Sequence, residues 1–479
     1  MPFKDNRQYI EALEKNGDLI RIKQEVDWDR EVGAIVRRTN EKSGPAFLAE
    51  KIKDYPGHRI FGGPVASFRR VATALGLPPE THPAEIMDTY YERASNPIKP
   101  VLVKDAPCQE VVITGKDVNL LDFPAPMVHE GDGGRYLSTW HFVITKDPDS
   151  GWVNWGMYRQ MVHNERHLGG LILPGSDCGK VFYEKYVKHN KPMPFAVAIS
   201  PDPLSAIASV ASVGAFVDEV DIAGGIMGEP IELVKCKTVD LEVPAHAEII
   251  LEGEILPDVT VEEGPFGEYT GFRSSPRMPR ALYRVNCITH RKDPILCMSN
   301  MGIPIDDCAI TVSIAWRSMV KKILLDIGIP IKGVYVPPEG IGHLVVVSTE
   351  TPYNNIATQI GMAIFSSRMG NLWMHQVIVV DADVDAYDMK QVIHSVATKC
   401  HPTRGIRVID NAPSNPLAPY LSLYERTWSK GGKVIFDCTW PLDWHREIEV
   451  PFKSGFNTIY SEEIQKKVLD NWKKYGFKD

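Results

Sequence analysis

The middle of the chain constrains the fold most, because it consists of short strand-like runs rather than long periodic helices. Between about residues 115 and 305, runs such as 247–251, 282–289 and 295–298 are separated by glycine and proline. Several short strands bounded by turn residues are typical of sheets that curl into barrels. This pattern predicts a β-barrel-like domain at the centre of the chain.

The first 110 residues have a different pattern, in which helices and strands are mixed. Residues 6–15 carry apolar side chains on one face and follow Asp5, a good helix cap, and a strand is expected at 19–22. The proline-containing stretch 96–100 is interpreted as a linker. We therefore expect an N-terminal α/β unit.

The region after residue 310 alternates helices with strands, which favours a second α/β layer. An amphipathic helix is expected at 461–475, and its apolar side needs a surface to cover, within the chain or on a partner subunit. The regular elements expected before this tail are helices at 310–325, 354–368 and 389–398 and strands at 344–347 and 377–380.

The length of 479 residues is too great for one ordinary hydrophobic core, and domains of roughly 100–200 residues imply two to four of them. The boundaries that we predict are an N-terminal α/β domain at 1–115, a central barrel carrying the site at 116–310, and a C-terminal α/β domain with a terminal helix at 311–479. The fold class is α/β (α+β).

Composition excludes several classes of function. The net charge of −8 argues against nucleic-acid binding, which requires a basic face. The sequence has no run of about 18 apolar residues, so we expect no membrane span. The N-terminus lacks the apolar core of a signal peptide, so a cytoplasmic location is expected. The eight cysteines form no Cys-x-x-Cys pair, which predicts reduced thiols without a zinc knuckle.

The stretch from Glu262 to Glu268 is the first candidate site. Gly264-Pro265-Phe266-Gly267 cannot continue a helix, so a tight loop can bring Glu263 and Glu268 to one cavity. Crowded or desolvated carboxyls have raised pKa values that suit general acid catalysis. An acidic surface turn remains the alternative.

A second candidate is the half-buried strand that leads to Arg159. A buried arginine needs a carboxylate partner, which is either a glutamate or a substrate. Strict alternation places Asn154 and Arg159 on opposite faces, so both serve one site only if the strand bulges or ends, and Gly156 permits that. A purely structural ion pair is equally compatible with the sequence.

Other familiar motifs are incomplete. His163 and His167 have the spacing of a zinc pair, but Asn164 stands where a zinc protease needs glutamate. The glycines at 224–228 are not followed by Gly-Lys-Ser/Thr, and neither a dinucleotide-binding Gly-x-Gly-x-x-Gly nor a Gly-x-Ser-x-Gly elbow occurs in the required context.

Taken together and in order, several strings resemble the UbiD-type decarboxylases, the family that includes ferulic acid decarboxylase. The series covers nearly the whole chain, and its order and spacing carry more weight than any one string. The matching segments are 124–136 (PAPMVHEGDGGRY), 154–163 (NWGMYRQMVH), 232–236 (ELVKC), 248–254 (EIILEGE), 263–268 (EGPFGE) and 467–477 (KVLDNWKKYGF).

The resemblance implies a fold and a set of partners. The fold is an N-terminal α/β domain, a central split β-barrel of the flavin-reductase type and a C-terminal α/β dimerisation domain whose last helix reaches a neighbour, so a homodimer or larger homo-oligomer is expected. The cofactor is prenylated FMN, supplied by a separate flavin prenyltransferase, with Mn²⁺ (or Mg²⁺) and K⁺ at its phosphate.

The family's metal ligands are an Asn, a His and a Glu, which correspond here to Asn154, Asp177 and Glu219. Asp177 departs from the family histidine, although aspartate remains a hard oxygen ligand that suits Mn²⁺ or Mg²⁺. Arg368 corresponds to a family lysine near the cofactor. The resemblance implies that the cofactor-binding residues are Thr139, Asn154, Gly156, Met157, Tyr158, Arg159, Ser176, Asp177, Ser209, Glu219 and Arg368.

The family's catalytic Glu–Arg–Glu network falls on Glu263, Arg159 and Glu268. The roles that it implies are substrate carboxylate binding by Arg159, fixation of Arg159 by Glu263, and proton donation by Glu268. The cofactor accepts the electron pair left by CO2, and the sequence does not distinguish between the two kinds of covalent adduct known in the family.

The resemblance predicts reversible, non-oxidative decarboxylation of an aromatic, heteroaromatic or α,β-unsaturated acid, and an aromatic or heteroaromatic one is favoured. Trp440 and Trp444 either stack on that ring or belong to the core. Two alternatives are a UbiD-like carboxylase, or a subunit of a carboxylase complex, acting on an aromatic compound, and a flavin-binding barrel with a redox or structural role.

Overall fold

The computed structural model describes residues 3–211, 214, 216–273 and 276–478. These residues form a mixed α/β protein of several domains, and its largest sheet has nine strands and curls into a half-barrel. Three smaller sheets of four, three and five strands surround it. No helix in the described part of the chain is both long and apolar enough to cross a membrane.

The N-terminal region packs helices against a four-stranded sheet. The first helix begins after Asp5, whose side chain accepts a hydrogen bond from the Gln8 amide, so the predicted cap and helix are confirmed. The elements are α1 (Asn6–Lys15), β1 (Leu19–Val26), α2 (Glu31–Glu41), β2 (Ala46–Ile52), β3 (Arg59–Gly62), α3 (Phe68–Ala74) and α4 (Pro83–Ala94).

The central region is dominated by the half-barrel, in which two long antiparallel strands at 249–263 and 278–290 form the middle of the sheet. Short helices lie between the strands. The strands are β4 (Val101–Leu102), β5 (Val111–Thr114), β6 (Tyr136–Ser138), β7 (His141–Lys146), β8 (Val153–Gly156), β9 (Gln160–Val162), β10 (His167–Gly170), β11 (Met193–Ile199), β12 (Glu232–Lys235), β13 (Glu242–Pro244), β14 (Ile249–Glu263), β15 (Met278–His290) and β16 (Ile295–Met298). The α-helices are α5 (Asp177–Val181), α6 (Pro203–Ala208) and α7 (Glu219–Met227), with 3₁₀ turns at Pro107–Gln109, Gly115–Asp117, Leu120–Asp122 and Val187–His189 and a π turn at Phe182–Tyr186.

The C-terminal region packs helices against a mixed five-stranded sheet. The predicted helix at 389–398 is observed at those residues, and the other predicted elements before the tail agree within three residues at each end. The helix predicted at 461–475 is observed but ends four residues earlier, at Asn471. The elements are α8 (Asp307–Asp326), β17 (Ile331–Tyr335), a 3₁₀ turn (Pro338–Gly340), β18 (Leu344–Thr349), α9 (Ile356–Ser366), α10 (Gly370–Trp373), β19 (Gln376–Asp381), α11 (Met389–Thr398), β20 (Ile406–Pro413), α12 (Leu423–Thr427), β21 (Lys430–Cys438), α13 (Phe456–Ile459) and α14 (Glu462–Asn471).

Three strands connect regions that chain order separates. β4 lies before the predicted boundary at residue 116, but it pairs in parallel with β12 of the central segment. β5 lies before the predicted boundary at residue 116, but it pairs with β15 of the half-barrel. β16 lies inside the predicted central segment, but it pairs in parallel with β3 and completes the N-terminal sheet. The N-terminal and central regions are therefore held together by strand pairing as well as by side-chain packing.

The terminal helix α14 exposes its apolar side. Leu469 is 62% exposed and Ile464 43% exposed, while Phe452, earlier in the tail, is 82% exposed. Side chains of this kind are normally covered by another surface.

Candidate active site

Arg159 is positioned by the end of strand β8. This strand stops at Gly156 and the next begins at Gln160, so the intervening residues leave the alternation of the sheet. A Cβ atom on Gly156 would lie 2.6 Å from the Tyr158 ring, so this close approach requires glycine. Asn154 and Arg159 can serve one site only if the strand is interrupted between them, and the structure has this interruption after Gly156.

The guanidinium of Arg159 lies between two buried carboxylates. Its Nε donates to Glu263 Oε1 at 2.9 Å and its Nη2 donates to Glu263 Oε2 at 3.1 Å, a bidentate pair. Its Nη1 pairs with Glu268 Oε1. Glu263 is 1% exposed and Glu268 3%, so the loop is not an acidic surface turn. The structure thus brings together all three residues of the predicted network.

Two aromatic residues that the sequence reasoning did not single out complete this cluster. The Tyr136 hydroxyl donates to Glu263 Oε1 at 2.7 Å. The Arg159 guanidinium lies over the Phe266 ring, 5.3 Å from its centroid. Tyr136 ends the 124–136 string, and Phe266 lies in residues 263–268, which we call the glutamate loop. Their place in these two motifs was the available signal.

The segment 129–133 packs against the glutamate loop and supports it. Asp132 accepts a hydrogen bond from the Gly267 amide at 3.1 Å, and His129 Nδ1 lies 2.9 Å from the same carboxylate. Burial lowers the pKa of His129, but the hydrogen bond and charge of Asp132 outweigh burial and leave that pKa raised. A Cβ on Gly133 would lie 1.8 Å from the Gly264 carbonyl oxygen, so the two backbones touch.

A second group of polar residues surrounds Glu219, the first residue of α7. Its carboxylate accepts from the Trp155 amide at 2.9 Å and from Asn154 Nδ2 at 3.4 Å. Glu219 is 2% exposed, and this burial raises its pKa to about 8. Two of the three predicted metal ligands are therefore adjacent, in an oxygen-rich site whose negative charge is not balanced by either neighbour.

Asp177, the third predicted ligand, faces a different partner. Its carboxylate pairs with the Arg368 guanidinium of the C-terminal region, and Lys180 Nζ lies 4.0 Å away. Ser176 caps the helix that Asp177 begins. Among the residues that the structure describes, no group of three His, Cys, Asp or Glu side chains has the spacing of a metal site. Asp177 and Arg368, both predicted near the cofactor, thus meet each other across two regions.

The remaining predicted cofactor residues lie around these groups or contact other partners. The Tyr158 hydroxyl lies 3.4 Å from Asn154 Oδ1 and 3.5 Å from the Cys178 amide, so it links the Glu219 group to the helix of Asp177. Thr139 accepts from the Ser299 amide, and Ser209 donates to the Ala206 carbonyl. Met157 is partly exposed beside Tyr158.

The two C-terminal tryptophans have partners within their own region. Trp440 lines a surface groove of about 570 Å³ with Asp381 and Phe452, and the residues of the Arg159 cluster do not line this groove. Lys399 lies over the Trp440 ring, and Arg404 lies over that of Trp444. This arrangement gives no support to the prediction that they stack on a substrate ring.

Sequence comparisons identify the family of each region. Residues 10–90, 99–304 and 310–438 match the N-terminal, Rift-related and C-terminal domains of 3-octaprenyl-4-hydroxybenzoate carboxy-lyase. The chain is 31% identical to the pyrrole-2-carboxylic acid decarboxylase of Pseudomonas aeruginosa, with 99% of both chains covered. It is 30% identical to ferulic acid decarboxylase 1 of Saccharomyces cerevisiae, with 100% of this chain and 99% of the relative covered.

Solved structures agree with this assignment. Vanillic acid decarboxylase of Sedimentibacter hydroxybenzoicus superposes with a TM-score of 0.90 in its closed form and 0.84 in its open form, at 30% identity over 99% of this chain and 100% of that one. The UbiD-class enzyme HmfF of Pelotomaculum thermopropionicum, in complex with prenylated FMN, gives 0.77 at 30% identity over 94% of this chain and 97% of that one. With all three domains matched in order, the chain belongs to the UbiD family and is a carboxy-lyase.

Proposed function

We propose that this protein removes CO2, reversibly and without net oxidation, from an aromatic, heteroaromatic or α,β-unsaturated carboxylic acid, with prenylated FMN as cofactor. The observation that carries the proposal is the buried Glu263–Arg159–Glu268 cluster, with one carboxylate on each side of the guanidinium. The related decarboxylases of ferulic, vanillic and pyrrole-2-carboxylic acids support the substrate class.

The three side chains divide the work. Glu263 holds Arg159 through two hydrogen bonds, and Tyr136 holds Glu263, so the guanidinium is fixed before the substrate arrives. The substrate carboxylate then pairs with Arg159 at the nitrogen that now contacts Glu268. A third acidic group beside a single guanidinium favours retention of one proton in the cluster. That proton is the one that Glu268 transfers to the carbon that loses CO2.

The group around Glu219 has the right chemistry for the cofactor's metal. Glu219 and Asn154 offer hard oxygen donors, and a divalent cation such as Mn²⁺ or Mg²⁺ would stabilise the ionised form of Glu219, which burial disfavours. We propose that Asn154, Glu219 and Asp177 hold this metal, with K⁺ alongside. When bound, prenylated FMN supplies the electrophile that accepts the electron pair released with CO2.

The proposed partners follow from the same chemistry. A separate flavin prenyltransferase supplies the cofactor, because prenylated FMN differs from FMN by a prenyl group that another enzyme must attach. The exposed apolar side chains of the tail, among them Phe452 and Leu469, support a homodimer or larger homo-oligomer of a cytoplasmic protein.

The decisive experiment is reconstitution. Protein made without a prenyltransferase is expected to be inactive, and prenylated FMN with Mn²⁺ and K⁺ should give CO2 release from an aromatic or acrylic acid. Absorption and mass spectra of the flavin released from the active protein identify the cofactor.

Turnover by the cofactor-free protein would contradict the proposal. A redox or structural role for the barrel predicts instead that plain FMN binds and cycles with a reductant, and that Glu268→Gln has no effect on that cycle. A carboxylase would show the same dependence on the cofactor, and it would form the acid from the decarboxylated compound when bicarbonate is present at high concentration.

A further inference from the structure

Tyr269, the residue after Glu268, projects into the C-terminal region. It is 9% exposed, and its hydroxyl lies 3.0 Å from His343 Nε2 and accepts a hydrogen bond from Asn415 Nδ2. Its ring meets that of Trp373 edge to face, with the centroids 6.1 Å apart. Three separate segments of the C-terminal region therefore enclose one side chain of the glutamate loop.

The direction of these hydrogen bonds is determined by the donors available. Asn415 Oδ1 accepts from the Leu417 amide at 3.0 Å, so the amide nitrogen is the atom that faces Tyr269. Because the Tyr269 oxygen accepts there, its own proton is available for His343 Nε2. Burial lowers the pKa of His343 to about 4, so its imidazole is neutral and Nε2 can accept. The contact is a directed chain from Asn415 through Tyr269 to His343.

The backbone transmits the position of Tyr269 to Glu268. The Glu268 amide donates to the Phe272 carbonyl at 3.1 Å, and the Gly271 amide donates to the Glu268 carbonyl at 2.9 Å. Residues 268–272 are thus closed into one tight turn. A displacement of the Tyr269 ring moves this turn, and with it the carboxyl beside Arg159.

We propose that Tyr269 is a positioning residue, which ties the proton-donating Glu268 to the C-terminal region through His343 and Asn415. The inference rests on the proposed function of Glu268 and extends it. The donor carboxyl is correctly placed only while the C-terminal region is docked on the half-barrel.

The same C-terminal segment also reaches the other end of the site. Arg368 pairs with Asp177, and Trp373 packs on Tyr269. Between them, the buried Lys433 ammonium donates to the Gly370 and Met374 carbonyls at 2.9 and 2.7 Å. The segment 368–374, which Lys433 holds in place, therefore contacts both Asp177 and Tyr269. Docking of the C-terminal region thus acts on the two ends of the site together.

The test compares Tyr269→Phe with Tyr353→Phe in the full-length protein. Both variants lose one hydroxyl, but Tyr353 is 42% exposed and its hydroxyl bonds only to Gln359 Oε1 among the contacts that the structure describes. We expect Tyr269→Phe to lower kcat by about tenfold or more with the cofactor still bound, because a small misplacement of a reacting group is costly. Tyr353→Phe should behave as the wild type does.

Hydrogen exchange provides a readout that is independent of turnover. Amides of residues 267–272 should exchange faster in Tyr269→Phe than in Tyr353→Phe, with or without cofactor. His343→Gln, which retains an acceptor, should keep more activity than His343→Leu. The effects of Tyr269→Phe and His343→Leu should be less than additive, because each breaks the same contact.

Equal kcat and equal loop exchange in Tyr269→Phe and Tyr353→Phe would overturn the inference. So would faster loop exchange at an unchanged kcat, because the contact would then exist without positioning Glu268. If the reconstituted wild type decarboxylates none of the acids, the proposed function fails. The exchange comparison would still decide whether Tyr269 holds the loop.

Discussion

The two ends of the candidate site differ in how their charges are balanced. Around Arg159, one cation meets two carboxylates and a tyrosine hydroxyl within the half-barrel. Around Glu219, the buried carboxylate accepts hydrogen bonds from the neutral Trp155 amide and Asn154 side chain among the described contacts, and burial raises its pKa to about 8. The first end is complete in the protein alone, whereas the second lacks a positive charge.

This difference supports the proposal that the Glu219 end, rather than the Arg159 end, binds a cation. A buried carboxylate without a cation is unfavourable, so a fold that retains one is suited to a metal. Two other carboxylates at this end already have a cation among the described contacts. Asp221, on the same helix as Glu219, pairs with Lys99, and Asp177 pairs with Arg368 of the C-terminal region. The C-terminal region therefore reaches both ends of the site, through Arg368 at Asp177 and through His343 at Tyr269.

Removal of the transferable proton should have the largest effect. Glu268→Gln keeps the shape of the side chain, and we expect decarboxylation to fall by on the order of 10²-fold or more, with cofactor content unchanged. Exchange of the product's ring or vinyl hydrogen in deuterated water should slow in parallel. Glu263→Gln should instead loosen Arg159 and impair both substrate binding and turnover.

The control for Glu268→Gln is Glu130→Gln, which changes an exposed carboxylate near Arg30. Near-wild-type decarboxylation by Glu268→Gln with the cofactor fully bound would mean that another group donates the proton. In that case, proton transfer could no longer be assigned to the Arg159 end of the site.

Substitutions at Asp177 test the metal end. They should change cofactor content, and we expect this effect to be smaller than the loss of decarboxylation in Glu268→Gln. If Asp177 ligates the metal, Asp177→Ala should lower cofactor retention. Asp177→His should preserve it, because imidazole is also a metal ligand. Histidine does not replace the carboxylate as the partner of Arg368, so Asp177→His keeps ligation while it removes the ion pair. Flavin and manganese content of the purified variants are measured, with Glu219→Gln as the reference for loss of a ligand.

Asp177→His separates the two roles of Asp177. Loss of cofactor in Asp177→His, as in Asp177→Ala, would show that the ion pair with Arg368, and not ligation, is what matters. Equal cofactor occupancy in the wild type, Asp177→Ala and Asp177→His would show that this position is not a ligand.

The smallest expected effect is a change in pH dependence at His129. The pKa of His129 is raised in the folded protein, so its stabilisation is fully present below its unfolded value and is lost as pH rises through the folded value. The free energy of unfolding at about pH 6 should therefore exceed that at about pH 9, because this group loses its proton as the pH rises. His129→Gln should remove that component.

Urea unfolding at the two pH values checks this expectation, with His189→Gln on an exposed turn as the control. A pH dependence that is the same in the wild type and in His129→Gln would show that the pair with Asp132 does not contribute. The support of the glutamate loop would then come from the Asp132–Gly267 hydrogen bond and from the backbone contacts of Gly133.

Much of the fold and the central cluster could be predicted from the sequence. The helix after Asp5 and the break of strand β8 at Gly156 follow from local rules on capping and on glycine, which act between close neighbours in the chain. The Glu263–Arg159–Glu268 network was identified from motif order, and the structure brings the three residues together. Tyr136 was missed although it ends the 124–136 string, because nothing local to this first residue of β6 indicates a hydrogen bond to Glu263, 127 residues away.

The sequence by itself determined the family, the order of the three regions and the residues available for proton transfer. Only the tertiary structure decided that β16 completes the N-terminal sheet, that Asp177 meets Arg368, and that Tyr269 enters the C-terminal region. The physical reason is distance along the chain. Capping and strand breaks are set by neighbouring residues, whereas a contact between residues 177 and 368 depends on how separate layers pack, which no local pattern encodes.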